Sequence, residues 1–112
     1  MTLDVAEKDG IVILAVSGRM VFDPSLFQLR GHVQEALDSR KRRFILDLSS
    51  VTHLDSSACG ELISIYTSVT RAHGSLAIVN PQPKVRILLE RIRLHEVFKI
   101  VETRQQAETA VL

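Results

Sequence analysis

Apolar runs of strand length alternate along this chain with stretches whose apolar residues recur at helical spacing, and that alternation restricts the fold more than any other feature. Ile11–Val16 is apolar on successive residues, as a strand covered on both faces requires, and Gly18 is expected to end it. Leu26, Leu29, Val33, Ala36 and Leu37 then supply one helical stripe. Asp23-Pro24 opens that helix, because Asp caps free backbone N–H groups and Pro suits the first helical position. Its end is expected near Ser39. Phe44–Leu48 is the next strand, and Cys59, Leu62, Ile63, Tyr66 and Val69 mark a second helix with Gly74 as its terminator. Leu76–Val79 is a strand, and Asn80–Pro83 starts a third helix carrying Val85, Leu88, Leu89 and Ile92. A last strand at Val97–Val101 precedes a short helix whose start, Thr103 and Gln106, has capping-box spacing. Ahead of all this, Leu3–Ala6 alternates, and Asp9-Gly10 suits the positive φ angles of a hairpin turn.

Strands that alternate with helices pair in parallel through crossovers. The pattern therefore predicts an α/β fold: a mixed sheet of about five strands, an antiparallel N-terminal hairpin followed by parallel strands, with about four helices. A chain of 112 residues is the size of one domain, and a single domain over 1–112 is expected. Loops leaving parallel strands emerge on one sheet edge, where such folds place their sites. That edge would carry Gly18–Pro24, Ser49–Ser57 and Asn80–Pro83.

Most other chemistry is excluded by what the chain lacks. It contains neither a GxxxxGK[ST] loop nor a GxGxxG turn. His32, His53, His73 and His95 lie too far apart for a paired metal site, so neither metal nor cofactor is expected. No catalytic pair appears, and the chain does not read as an enzyme. With 14 basic and 13 acidic side chains the formal charge is +1, and the basic run Arg40–Arg43 reads as a solvated junction rather than a nucleic-acid surface. The longest strongly apolar run, Ile11–Val16, falls far short of the roughly 20 residues of a membrane span, and the first residues lack signal-peptide regions. One cysteine fits a reducing compartment, and a soluble, cytoplasmic protein is the expectation. Cys59 falls on the apolar stripe of its helix and reads as a small buried hydrophobe.

Asp55-Ser56-Ser57-Ala58-Cys59-Gly60 is the informative stretch. A capping role alone explains Asp55 or Ser56. It does not explain two consecutive serines, nor Gly60 in the first turn, which costs about 1 kcal/mol relative to Ala. A close approach by another backbone would justify that glycine, as would packing of the helix on its own sheet. A serine here also suits phosphorylation, since a helix N-terminus tolerates a charge of roughly −1.5 to −2. A partner docked on the same edge would have to desolvate that dianion beside Asp55. A penalty of about 3 kcal/mol is enough to weaken binding more than a hundredfold.

At these residues the chain resembles the STAS domain family, particularly its stand-alone members, the bacterial anti-sigma factor antagonists. The resemblance covers the leading hairpin, Val16-Ser17-Gly18-Arg19, Ile45-Leu46-Asp47-Leu48, the Asp55-Ser56-Ser57 helix start, Gly74–Val79, and Val85–Leu94 with Val97-Phe98. It implies a partner switch. The unmodified protein binds an anti-sigma factor that is also a serine kinase, freeing a sigma factor and so regulating transcription. The kinase phosphorylates the second serine, here Ser57, and a phosphatase resets it. Asp55, Ser56, Ser57 and Gly60 are then expected at the contact surface, with Gly18 and Asp23 on neighbouring loops. Ala58 stands where the family usually has Gly, Cys59 where it has Leu, and Val21 where an Asp is common, Asp23 lying two positions later. The alternatives are a constitutive STAS scaffold or subunit of a stress-signalling or transport complex, in which Ser57 is only a cap, and a small enzyme or nucleotide-binding protein. A homo-oligomer is open in either case.

Overall fold

Asp9 and Gly10 turn the chain back on itself with φ angles of +51° and +80°, as a tight hairpin requires. In the computed structural model, which describes residues 1–112, this turn joins β1 (Thr2–Lys8) to β2 (Ile11–Met20), antiparallel, with Leu3 opposite Val16. The elements that follow are α1 (Pro24–Asp38), β3 (Arg43–Leu54), α2 (Ser56–Arg71), β4 (Ser75–Val79), α3 (Pro83–Arg91), β5 (Lys99–Val101) and α4 (Arg104–Ala110). Strands β2 to β5 are parallel, and the sheet order β1-β2-β3-β4-β5 repeats the chain order. This is the α/β architecture that the alternating pattern predicts. No helix is long and apolar enough to cross a membrane.

Side-chain alternation divides the core into two unequal layers. Val12, Leu14, Val16, Phe44, Leu46, Leu48 and Ile78 face the apolar stripes of α1, α2 and α3, where Leu29, Leu62 and Leu89 are fully buried. Ile11, Ile13, Ile45, Ala77 and Val79 face the other way, under Ala107 and Val111 at the end of the chain. Each buried Leu, Ile or Phe contributes roughly 1.5–3 kcal/mol, so the larger layer dominates stability.

The structure departs from the sequence reading in places that have physical causes. Gly18 does not end β2: it sits at φ +88° between two shifts of register, so the strand kinks and continues to Met20. Ser49–Leu54, expected to be a loop, is strand. It pairs only with β2, Ser17 opposite Ser50 and Met20 opposite Leu54, whereas β4 stops where Val79 meets Asp47. At about 3.3 Å per residue this two-stranded extension projects up to about 20 Å beyond the rest of the sheet. The bulges break the period of two that would have marked it in the sequence.

Gly74 closes α2 in a way that spacing did not show. His73, at φ +62°, takes the left-handed position, and the Gly74 N–H bonds to the Val69 carbonyl at 2.8 Å. Gly74 itself is required by crowding, since a Cβ there would lie 2.6 Å from the Arg42 carbonyl oxygen. In α2, Ile63 is exposed and Ile65 is the buried member of the stripe. Ile92 lies past the end of α3, and Val97 is exposed beyond a short 3-10 turn at Leu94–Glu96, leaving β5 only Lys99–Val101.

Candidate functional site

The tip of the β2–β3 extension feeds α1 and α2 side by side, and one carboxylate ties the two starts together. Asp55 has an extended backbone (φ −108°, ψ −179°), and its Oδ1 accepts from the Ala58 N–H at 2.9 Å. Its Oδ2 accepts from the Phe22 N–H, also at 2.9 Å, in the loop entering α1. Its own N–H donates to the Met20 carbonyl at 3.3 Å. The bonds from Ala58 and then Phe22 hold the Asp55 carboxyl below its ordinary value, so it is a fixed anion near neutral pH. Asp55 is thus a cap and a clamp.

The two serines have no such employment. Ser56 is exposed, Ser57 is partly exposed, and neither hydroxyl has a hydrogen-bond partner in the protein. Ala58 and Cys59 then turn inward, and burial, aided by the Asp55 charge, pushes the Cys59 thiol up, away from nucleophilic use. Gly60 is exposed, and a Cβ at Gly60 would meet nothing within 4 Å. Packing of α2 on its own sheet therefore does not call for this glycine.

Beside the serines lies an aromatic patch that the sequence reading passed over. Phe22 is 72% exposed and Phe27 45% exposed, their rings edge to face with centroids 6.2 Å apart. The Arg30 guanidinium lies 5.9 Å from the Phe27 ring centre. Phe27 falls off the apolar stripe of α1, and in a chain with four Phe and one Tyr that displacement was the available signal. Because Asp55 accepts from the Phe22 backbone, the aromatic patch is tied to the start of α2 as one unit.

The remaining expected residues fall around this unit. Asp23 caps α1 by accepting from the Ser25 N–H at 2.8 Å. Gly18 sits lower on the extension, where its carbonyl accepts from the Thr52 hydroxyl at 3.3 Å, so it shapes the tip without lying at it. The Asn80–Pro83 loop is set back, with Gln82 donating to the Ser49 carbonyl at 3.0 Å. Arg19, His53 and Lys84 form a basic flank, in which Lys84, then burial and Arg19, hold the imidazole of His53 below its ordinary pKa.

A second carboxylate on β3 serves architecture. Asp47, 8% exposed, accepts from the backbone and hydroxyl of Ser49 and from Arg104 Nε at 2.9 Å. Burial acts to raise its pKa, and these bonds outweigh burial, leaving it lowered.

Comparison with known proteins places the family and the fold. The chain matches the STAS domain over residues 2–107. A protein of Thermotoga neapolitana bearing the name of an anti-sigma factor antagonist is 32% identical over 99 residues, 88% of each chain. A crystal structure of a Thermotoga maritima protein with the same designation superposes with a TM-score of 0.89 at 26% identity, covering 97% of this chain and 93% of that one. The anti-sigma factor antagonist SpoIIAA in its unphosphorylated form superposes with a TM-score of 0.82 at 18% identity, covering 95% of this chain and 92% of its own. Its phosphorylated form gives 0.77 at 16% identity, covering 96% and 97%. With nearly the whole length matched, the chain belongs to the STAS domain family.

Proposed function

We propose that this chain is a phosphorylation-controlled protein-binding module that, unphosphorylated, holds an anti-sigma factor with serine kinase activity and so releases a sigma factor. The observation that carries the reading is the start of α2. Two hydroxyls without partners stand on a capped helix, next to exposed Phe22 and Phe27 and to a glycine in open space. Aromatic side chains on a fixed backbone are the kind of anchor that dominates protein interfaces. Gly60 lets a partner's backbone come close to the helix. The names of the relatives support anti-sigma factor antagonism, and a phosphorylated SpoIIAA supports control by modification.

Ser57 is the acceptor in this reading. Transfer of the γ-phosphoryl group of ATP to Ser57 Oγ releases ADP and the hydroxyl proton, and leaves a dianion on the first turn of α2. The helix dipole and free N–H groups stabilise that charge, so the fold persists. A partner covering the patch would have to strip water from it. A phosphatase would restore the binding form.

The test is incubation with the cognate anti-sigma factor kinase and ATP, followed by mass spectrometric mapping. A single phosphate on Ser57, absent in Ser57→Ala and present in Ser56→Ala, is the expected result. Phosphate on Ser56 alone, or none while the kinase phosphorylates another substrate, would overturn the assignment. Phe22→Ala should weaken kinase binding at least tenfold without changing the melting temperature by more than a few degrees.

A further inference from the structure

One buried group at this site is unused by the cap and by the contact patch. Glu61, one turn after Ser57, is 8% exposed, and its Oε2 is shielded from solvent without accepting any hydrogen bond. Its nearest cation is Arg30 of α1, whose Nε lies 3.4 Å away without forming a hydrogen bond. The Arg30 side chain is 48% exposed, and neither of its Nη groups donates to a protein acceptor. A buried carboxylate facing a loosely held guanidinium is an arrangement with capacity to spare.

Direction makes that capacity relevant to Ser57. Helices α1 and α2 each connect neighbouring parallel strands, so they run the same way. Helical side chains lean towards the N-terminus, which brings the Arg30 head over Phe27 and carries the Glu61 carboxylate towards the turn that bears Ser57. Residues four apart share a face, with Cβ atoms about 5–6 Å apart. Ser57 therefore lies on the same flank of α2 as Glu61, the flank that meets Arg30.

We infer that Arg30 and the first turn of α2 form the binding position for the phosphate monoester on Ser57, with Glu61 as the resting partner of Arg30. This inference rests on Ser57 being the acceptor. A dianion on Ser57 would stand one turn from the Glu61 carboxylate, and like charges at that spacing repel. The guanidinium answers both: its Nε edge faces Glu61 while the Nη pair is free to grip phosphate oxygens in a fork. Arg30 is drawn from the Phe27 ring as it does so, and the contact patch changes together with the charge. Phosphorylation then acts on the partner twice, by the dianion and by removal of the cation over Phe27.

The experiment uses the full chain with phosphoserine inserted at position 57 during translation, so that no kinase is needed. Phosphorus NMR follows the second ionisation of the phosphate. Asp55 and Glu61 act to raise that pKa, whereas Arg30 and the N–H groups of α2 lower it. Arg30→Gln should raise it by about one unit, a tenfold change in proton affinity. Arg30→Lys should recover part of the difference, and Glu61→Gln should lower the pKa. Equal titration of Arg30→Gln and wild type would overturn the inference, and so would full recovery by Lys, because a fork would then not be required. Binding of the kinase to the phosphoserine protein is measured separately. Undiminished binding there would defeat the switch while leaving the phosphate position standing.

Discussion

Helices α1 and α2 begin alike and side by side, and their differences isolate what capping leaves unexplained. Each is capped by an aspartate with an extended backbone, Asp23 and Asp55, and each has a serine at the second helical position, Ser25 and Ser57. Each also carries an exposed glycine with open space where a Cβ would go, Gly31 and Gly60. In α1 nothing is left over. Pro24 fills the first position, Asp23 satisfies the Ser25 N–H, and the Ser25 hydroxyl accepts from the Met1 amino group at 3.4 Å. In α2 the first position is a second serine, both hydroxyls lack partners, and the cap reaches across to Phe22. A helix start needs only what α1 has; the surplus in α2 faces outward.

The sharpest way to break this comparison is to place the same charge at the same position of both helices. Ser57→Asp should reduce kinase affinity more than a hundredfold, corresponding to about 3 kcal/mol. Ser25→Asp should change it less than threefold. Both substitutions add an anion at a helix N-terminus, but at position 57 Asp55 and Glu61 oppose it, so Ser25→Asp is predicted to raise the melting temperature slightly and Ser57→Asp to leave it nearly unchanged. Titration calorimetry and thermal unfolding check both halves. Similar affinity losses from the two variants would mean that bulk charge, not the α2 start, governs binding.

That surplus was legible because serines beyond a cap contradict local propensity, and such contradictions are visible in one dimension. The fold was legible for the converse reason, since strand and helix periods agreed with the layers they build. What escaped depends on non-local partners. The Asp55 bond to the Phe22 N–H spans 33 residues and the Arg104 bond to Asp47 spans 57, and no local pattern records either. Phe22 and Arg30 gained meaning only when α1 was laid beside α2. The β2–β3 extension hid because Gly18 and the register shifts scramble alternation where the strands leave the sheet.

A smaller effect separates the caps. Asp23→Ala removes one backbone acceptor and should lower the melting temperature by about 5 °C, the shift that follows from losing a single cap. Asp55→Ala removes the acceptors of both Ala58 and Phe22, and its loss should be about twice as large. Acid acts in the same sense. Backbone bonds hold both carboxyls below their ordinary value of 3.8. Their contribution is therefore complete above that value and disappears as the pH falls through the lower folded value. Urea unfolding at pH 6 and pH 3 should show less acid sensitivity in Asp55→Asn than in wild type. Equal sensitivity would place the acid-labile bonds elsewhere, with Asp47 the next candidate.

The smallest expected effect discriminates most finely, because it separates stability from binding by sign. Ala fits at Gly31 and Gly60 without contact, and both positions lie inside helices. Each Gly→Ala change should stabilise the protein by about 0.5–1 kcal/mol through helix propensity and a less flexible unfolded chain. If Gly60 exists to let a partner's backbone approach α2, Gly60→Ala gains that stability and loses affinity, whereas Gly31→Ala gains it with affinity intact. Retention of full affinity in Gly60→Ala would mean that the partner leaves this turn uncovered. The contact surface would then centre on Phe22 and Phe27, with Ser57 acting from its margin through charge alone.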